Sequence, residues 1–340
     1  MSFVSPRDGH PRVTWSPSLT LVPTHHCFNA CGYCSFRQPP PASRLAAGAT
    51  PADALSDAAA SHLLRQRPEA REVLLLSGEE VPGSPGRLAW FERLLRLSRL
   101  ALAHGRLPHT NAGPLSLREM AALGRLNPSM GLMLEGLGPA YDELHRRAPS
   151  KRLEVRLGQL EQAGRLGIPF TTGLLLGVGE SRADRRDALE LLALLQDRWG
   201  HLQEVILQPW RPDGLAPRPL ERAEQHDLLN TIAEARAILP AEVHLQLPPN
   251  LWPVECLVDA LEAGIDDLGG IDTGDVINPA YPQPSLQSLA QRLAAGGWEL
   301  RPRLCVHEAW VPRLPGPLRR AAAAAARLLA SEHTFELREP

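Results

Sequence analysis

Residues 21–38 read LVPTHHCFNACGYCSFRQ: the end of an apolar run, a proline, two histidines, then Cys27, Cys31 and Cys34. Cysteines at i, i+4 and i+7 could share one face of a helix. Asn29, Gly32, Pro23 and the prolines at 39–41 make this a poor helix, so the cysteines belong to a loop that follows a strand. Further strands are expected at 73–76, 130–134, 170–176, 205–208 and 243–247, with shorter ones at 108–111 and 267–271; the first is placed at 19–23. Amphipathic runs lie between them, such as LAWFERLLRLSRLALAHG, RRDALELLALLQDRW and LEVRLGQLEQAGRLG, the last ending on a glycine suited to a helix C-terminus. Eight strands alternating with helices predict an α/β fold with a parallel sheet, a (β/α)8 TIM-type barrel. The loop after the first strand then lies at the C-terminal rim, where such barrels build their active sites. An open doubly wound sheet would carry GxGxxG after its first strand, and this chain does not.

The composition is that of a globular enzyme-sized chain: 340 residues, 44% hydrophobic and 22% charged. A formal charge of −2 gives no basic field that would draw nucleic acid or an anionic membrane. No run of about 18 apolar residues is present to span a bilayer. The start, MSFVSPRDGHPRVTWSPS, has no signal-peptide core, so a reducing cytoplasmic setting is expected, in which clustered thiols bind metal more often than they pair. Lys151 is the only lysine in the chain. The expected division is an N-terminal extension at 1–16, a barrel at 17–310 and a C-terminal helical tail at 311–340 packed on the barrel. Pro-rich segments at 37–51, 211–219 and 279–284 read as loops.

Three thiols on one loop allow three readings: a buried stripe of free cysteines, a zinc site completed by His25 or His26, or an iron–sulfur cluster. A [4Fe–4S] cube held by three cysteines keeps one iron open, and an open position is what separates a catalytic metal site from a structural one.

CxxxCxxC with Tyr33 before its last cysteine resembles the signature of radical S-adenosylmethionine (radical SAM) enzymes. The resemblance implies one [4Fe–4S] cluster on Cys27, Cys31 and Cys34, S-adenosylmethionine on the open iron, and chemistry through a 5′-deoxyadenosyl radical. The superfamily's small–Gly–Glu turn matches Ser77, Gly78 and Glu79. Its polar end of the fourth strand matches Glu135, and its cofactor-carboxylate arginine matches Arg156. Its GxIxGxxE motif matches Gly173, Leu175, Gly177 and Glu180. With Tyr33, these residues other than Glu180 are the implied cofactor contacts.

The stretches LPHTNAGPLS, NPSMGLMLE, GRLGIPFTTGLLLGVGES, HLQEVILQPWRP and DDLGGID run in order, and with the rest of residues 17–310 they resemble the smaller subunit of 7,8-didemethyl-8-hydroxy-5-deazariboflavin (FO) synthase. The family implies an ammonia-releasing ring closure acting on an adduct from a hydroxybenzyl-transferring partner radical enzyme, with a reductant such as ferredoxin or flavodoxin. Two stretches depart from the family's pattern: Pro209 and Trp210 where it has asparagine–phenylalanine, and Leu268 and Asp272 where its loop has tryptophan and serine. Polar residues near strand ends are the candidates for chemistry and substrate: His109, Asn111, Gln208 and Asp272 as catalytic groups, with Thr110, Asn111, Lys151, Thr172, Gln208 and Asp272 for substrate contact. Cys256 and Cys305 read as structural. The alternatives are another radical enzyme of the same branch, or a non-catalytic zinc or iron–sulfur module.

Overall fold

The computed structural model describes residues 11–40, 55–212 and 218–336. Nine strands form one sheet: β1 (Arg12–Leu21), β2 (Glu72–Leu76), β3 (Leu107–Asn111), β4 (Ser129–Gly131), β5 (Phe170–Leu176), β6 (Leu202–Pro209), β7 (His244–Gln246), β8 (Asp267–Ile271) and β9 (Glu299–Pro302). They pair in the order β2-β3-β4-β5-β6-β7-β8-β1, and β1 also pairs with β2, so the eight close on themselves. All pairs are parallel, as right-handed βαβ crossovers require. The expected barrel is present.

β1 starts at Arg12, seven residues before the position expected from sequence, so 12–16, placed above in an extension, are barrel wall. Pro17 and four Ser/Thr residues hide this strand, because proline inside a run demotes it. Here the proline carbonyl still accepts from the Arg71 amide, and Ser16 and Ser18 are buried. β9 was not expected at all: it adds to the first half of β1, pairing Arg12 with Glu299 and Trp15 with Pro302. Residues 41–51 of the first Pro-rich loop and 213–217 of the second lie outside the described residues.

Helices cover the barrel. Those at Leu117–Gly124 and Arg182–Trp199 start with capping boxes, Ser116 with Glu119 and Ser181 with Asp184, which satisfy two otherwise orphaned amides each. The helix Leu153–Leu166 stops where Gly167 takes φ +64°, as its glycine predicts. The outward residues of β5, Leu174 and Leu176, join Leu160, Leu189 and Leu192 in the apolar layer between sheet and helices. The last helix, Gly316–Glu336, lies beyond the barrel's lower end, where Leu318, Ala322 and Ala325 share an apolar cluster with Leu107 and Trp310.

The lower end of the barrel is closed by charge. Arg303, just after β9, reaches in and donates to Asp267 through Nε (2.5 Å) and Nη2 (2.6 Å), and to Glu204 through Nη2 (2.6 Å). Asp267 also accepts from Thr14, and Glu204 from Thr171 (3.0 Å), so one guanidinium ties β1, β5, β6 and β8 together. Oxygens of Glu204 and Asp267 and a ring nitrogen of His307 lie within 4.8 Å of one another. Arg303 supplies the positive partner there. Beside it, Gln203 donates to the Cys305 carbonyl and accepts from the His307 amide, which fixes the plug in register. Removing one member of a buried ion pair strands the others. Arg303→Leu is expected to cost about 3–5 kcal/mol in urea unfolding, whereas Arg12→Leu, at the partly exposed pair with Glu299, should cost less than about 1 kcal/mol.

Candidate active site

The cysteine loop is pinned by backbone bonds to its neighbours. Gly78 N donates to Thr24 O (2.8 Å), Phe28 N to Glu79 O (3.1 Å), Ala30 N to Arg147 O (2.8 Å) and Gly32 N to Leu144 O (3.0 Å). A Cβ on Gly78 would lie 2.1 Å from the His26 carbonyl oxygen, so the turn after β2 must be glycine for the two chains to touch. Asn29 stitches the same corner, donating to Glu79 (2.9 Å) and accepting from the Ser150 amide (3.2 Å).

A pocket opens over this loop. Cys27, Cys31, Cys34, Tyr33, Ser77, Gly78, Glu79, Glu135, Lys151, Arg156 and Leu175 line it. Tetrahedral zinc, with Zn–S near 2.3 Å, would hold sulfurs about 3.8 Å apart. Among the described residues the three thiols do not gather within 4.8 Å of one another. Neither His25 nor His26 lines the pocket; their Nδ1 atoms face the Phe36 and Pro39 carbonyls, at 3.1 Å each. The donor set is therefore soft thiols alone, wider than zinc needs, which fits a cluster. Burial pushes the Cys31 thiol up to about 12, and burial followed by Glu79 raises Cys27, so taking up iron releases protons.

Around the thiols the charges are arranged in pairs. Glu135 is the one non-glycine residue with positive φ among the described residues, at +77°, a strained backbone of the kind that clusters at functional sites. Its amide donates to Gly173 O (3.0 Å) and its carbonyl accepts from Leu175 N (2.8 Å), so the strained turn is locked onto β5. Its carboxylate pairs with Lys151, the lone lysine. Burial alone would raise this carboxyl, but Lys151 and Arg156 outweigh it and hold it below its ordinary value. Arg156 reaches Glu79 at 3.5 Å, while its Nε is buried without a partner among the described residues. An orphaned guanidinium N–H beside an open pocket suits a carboxylate ligand. On β5, a Cβ at Gly173 would lie 2.4 Å from Ile206 O. Gly177 takes φ +89°, and Glu180 accepts from the Gly177 and Val178 amides (2.7 and 2.8 Å) while pairing with Arg185 (2.8 Å). Glu180 thus shapes the rim loop from behind.

The family model described as the radical SAM superfamily matches residues 21–192, a span that begins at the end of β1 and includes the cysteine loop. The chain is 49% identical over 321 residues to 7,8-didemethyl-8-hydroxy-5-deazariboflavin synthase of Synechococcus elongatus, covering 92% of this chain and 91% of that one. It is 50% identical to the Gloeobacter violaceus protein of the same name, over 87% and 90% of the two chains. The chain belongs to the radical SAM superfamily and, within it, to the 7,8-didemethyl-8-hydroxy-5-deazariboflavin synthase family. Among solved structures, methylornithine synthase superposes with a TM-score of 0.62 at 14% identity, covering 85% of this chain and 83% of that one, which speaks for the shared fold alone. Membership of the radical SAM superfamily implies a [4Fe–4S] cluster and S-adenosylmethionine, and the thiol pocket has the residues to hold them. No helix among the described residues is long and apolar enough to cross a membrane.

A second cavity of about 190 Å³ runs down inside the barrel from the same rim. It holds His109, Asn111, Gln208 and Asp272, the four candidates for chemistry. Three expected substrate contacts, Thr110, Thr172 and Lys151, are not there. Thr110 points outward from β3 and donates to Asn127 (2.8 Å); Thr172 points outward from β5 and accepts from the Leu134 amide (3.1 Å). Strand side chains alternate, so the inward residue of β5 is Thr171, one position earlier. Lys151 lies in the thiol pocket with Glu135, away from this cavity. Asp272 is at the mouth, but Arg67 (2.5 Å) and the Thr20 amide (2.7 Å) already hold it. Cys305 lies at the lower end and Cys256 lines neither pocket. Residues that sequence reading missed are Glu72, Glu204 and Arg303, whose polar heads meet only because the barrel closes, and Gln246 on β7, a strand of three residues.

His109 accepts and donates in a fixed sense. Ser129 Oγ donates to the Cys305 carbonyl (2.8 Å), so its contact with His109 Nδ1 (2.7 Å) has the ring donating, and Nε2 is left as an acceptor. Burial, then Arg303, pushes its pKa down to about 3 from 6.5, so it stays neutral in the fold while the unfolded chain takes up a proton below 6.5. Stability from this group is complete above about pH 6.5 and lost as pH falls toward 3. His109→Gln should therefore lose roughly 2 kcal/mol less than the parent between about pH 6 and pH 4 in chemical unfolding; parallel acid limbs would show that His109 is protonated in the native state.

Proposed function

We propose that this chain is the ring-closing subunit of FO synthesis. It converts 5-amino-5-(4-hydroxybenzyl)-6-(D-ribitylimino)-5,6-dihydrouracil to 7,8-didemethyl-8-hydroxy-5-deazariboflavin, with release of ammonia, methionine and 5′-deoxyadenosine, as a carbon–nitrogen lyase. The observation that carries this reading is a shared wall. Leu76, Asn111, Leu132, Met133, Gln208 and Ile277 line both the thiol pocket and the barrel cavity. The two pockets adjoin, so a cofactor held in the first would lie next to a substrate held in the second.

When bound, the cluster and S-adenosylmethionine together supply a 5′-deoxyadenosyl radical that abstracts hydrogen from the substrate. The protein's own residues position and shield. Cys27, Cys31 and Cys34 would ligate three irons of the cluster. Arg156, with its Nε unspent, would take the cofactor carboxylate, and Glu135, kept ionised by Lys151, would accept from the ribose hydroxyls. Tyr33, Ser77, Gly78, Gly173, Leu175 and Gly177 form the bed, with Glu79 spent on holding Arg156 and Asn29 in place. Asn111 and Gln208 make no side-chain hydrogen bond among the described residues and sit on the shared wall, where the polar edges of a pyrimidinedione need donors and acceptors. The substrate comes from a hydroxybenzyl-transferring radical enzyme, and the electron from a ferredoxin or flavodoxin in the cytoplasm.

Anaerobic reconstitution should load about four irons per chain with charge-transfer absorption, and Cys31→Ala should lose both. Supplied with S-adenosylmethionine, a reductant and the hydroxybenzyl adduct, the parent protein should form 5′-deoxyadenosine and a fluorescent deazaflavin. Deoxyadenosine without deazaflavin would keep the superfamily chemistry and overturn the substrate.

A further inference from the structure

The barrel cavity continues well below the wall it shares with the thiol pocket. At the mouth its two carboxylates are already satisfied. Asp272 is held by Arg67 and the Thr20 amide, and Asp275 accepts from Asn250, Asn278 and the Ile277 amide. Deeper down, hydrogen-bonding capacity is left over. His109, 8% exposed, presents Nε2 to the cavity with no protein donor among the described residues. Glu72, 6% exposed, forms the floor. It lies beside Arg303 yet receives nothing from it, because that guanidinium donates to Asp267, Glu204 and the Leu304 carbonyl.

The two leftover groups are acceptors, and they are stepped. Leu74 pairs with His109 and Glu72 with Leu107, so Glu72 lies two residues below the level of His109 on the neighbouring strand. Two strand residues rise about 6.6 Å. A glycine faces each of them: a Cβ on Gly131 would lie 2.8 Å from His109 Nε2, and one on Gly270 3.4 Å from Glu72 Oε1. The well is thus open beside both acceptors and asks for donors at two heights. A flat ring system offers donors on its rim; an extended chain bearing several hydroxyls offers them along its length.

We propose that the lower barrel is a polyol subsite, in which Glu72 and His109 accept hydrogen bonds from the hydroxyls of the substrate's ribityl chain. This rests on the substrate reading above and adds an orientation to it: the rings that react stay at the shared wall, and the non-reacting chain points down the axis to the ionic floor. Burial raises the Glu72 carboxyl to about 7, against the pull of Arg303 and Ser16, so the group accepts from a hydroxyl when ionised and can donate to one when protonated.

The test compares two probes on the cluster-loaded protein: the deazaflavin product, and the same ring system carrying a methyl group in place of the ribityl chain. Binding is followed by their fluorescence, without turnover. The parent should bind the ribityl compound at least about tenfold more tightly, the scale of one charge-assisted hydrogen bond. Glu72→Gln and Gly270→Ala should each erase most of that difference while leaving affinity for the methyl analogue as it was. Thermal unfolding of both variants reports whether the barrel is intact, and the smaller change, Glu72→Gln, keeps the test alive if Gly270→Ala does not fold. Equal affinity of the parent for both probes, or an equal loss for both in the variants, would overturn the subsite. If the parent binds neither probe and makes no deazaflavin, the substrate reading itself has failed.

Discussion

Everything functional in this molecule is set by the pleat of eight parallel strands closed into a ring. Closure gives each strand one face toward the axis and one toward the helices, and successive residues must take opposite sides. His109 and Asn111 therefore face the cavity while Thr110 between them is spent on Asn127. The same rule on β5 turns Thr171 inward and buries Leu174 and Leu176 against the helices. A ring has no edge to protect except where β1 runs past it, and there β9 covers the exposed half.

Charge is distributed along the axis in two tiers with different work. The upper tier, Glu135 with Lys151 and Glu79 with Arg156, surrounds the thiols and leaves a guanidinium N–H unspent. The lower tier, Arg303 with Asp267 and Glu204, spends nearly all its donors internally and seals the bottom. Between the tiers the barrel is hollow, with Gly131 and Gly270 beside His109 and Glu72, where many barrels of this class pack bulky branched side chains. Acceptors left open above an ionic floor are the arrangement expected where a polar ligand completes the hydrogen bonding.

How much was legible in the sequence follows from the range of the signals. The cysteine loop was readable because Cys27, Cys31 and Cys34 are neighbours in the chain and the local prolines and glycine exclude a helix. The turn at Gly78 was readable for the same reason, though its cause, the His26 carbonyl 2.1 Å from a notional Cβ, belongs to a contact 52 residues away in the chain. The start of β1 was not readable, since Pro17 and the polar run around it mimic a loop, and its partner strands β2, β8 and β9 are remote in the chain. Thr110 and Thr172 were misplaced because polarity near a strand end does not fix which face a residue takes.

The sequence by itself determined the alternation of strands and helices, the grouping of three thiols on one loop, and the rim on which that loop sits, because each depends on residues within one turn or loop of one another. Only the tertiary structure decided that Lys151 serves Glu135, that Arg303 from the end of the chain plugs the barrel, and that Glu72 and His109 are left facing an open well. Those facts rest on through-space pairing between residues separated by up to 231 positions, as Glu72 and Arg303 are, and a linear pattern has no term for the closing of a ring.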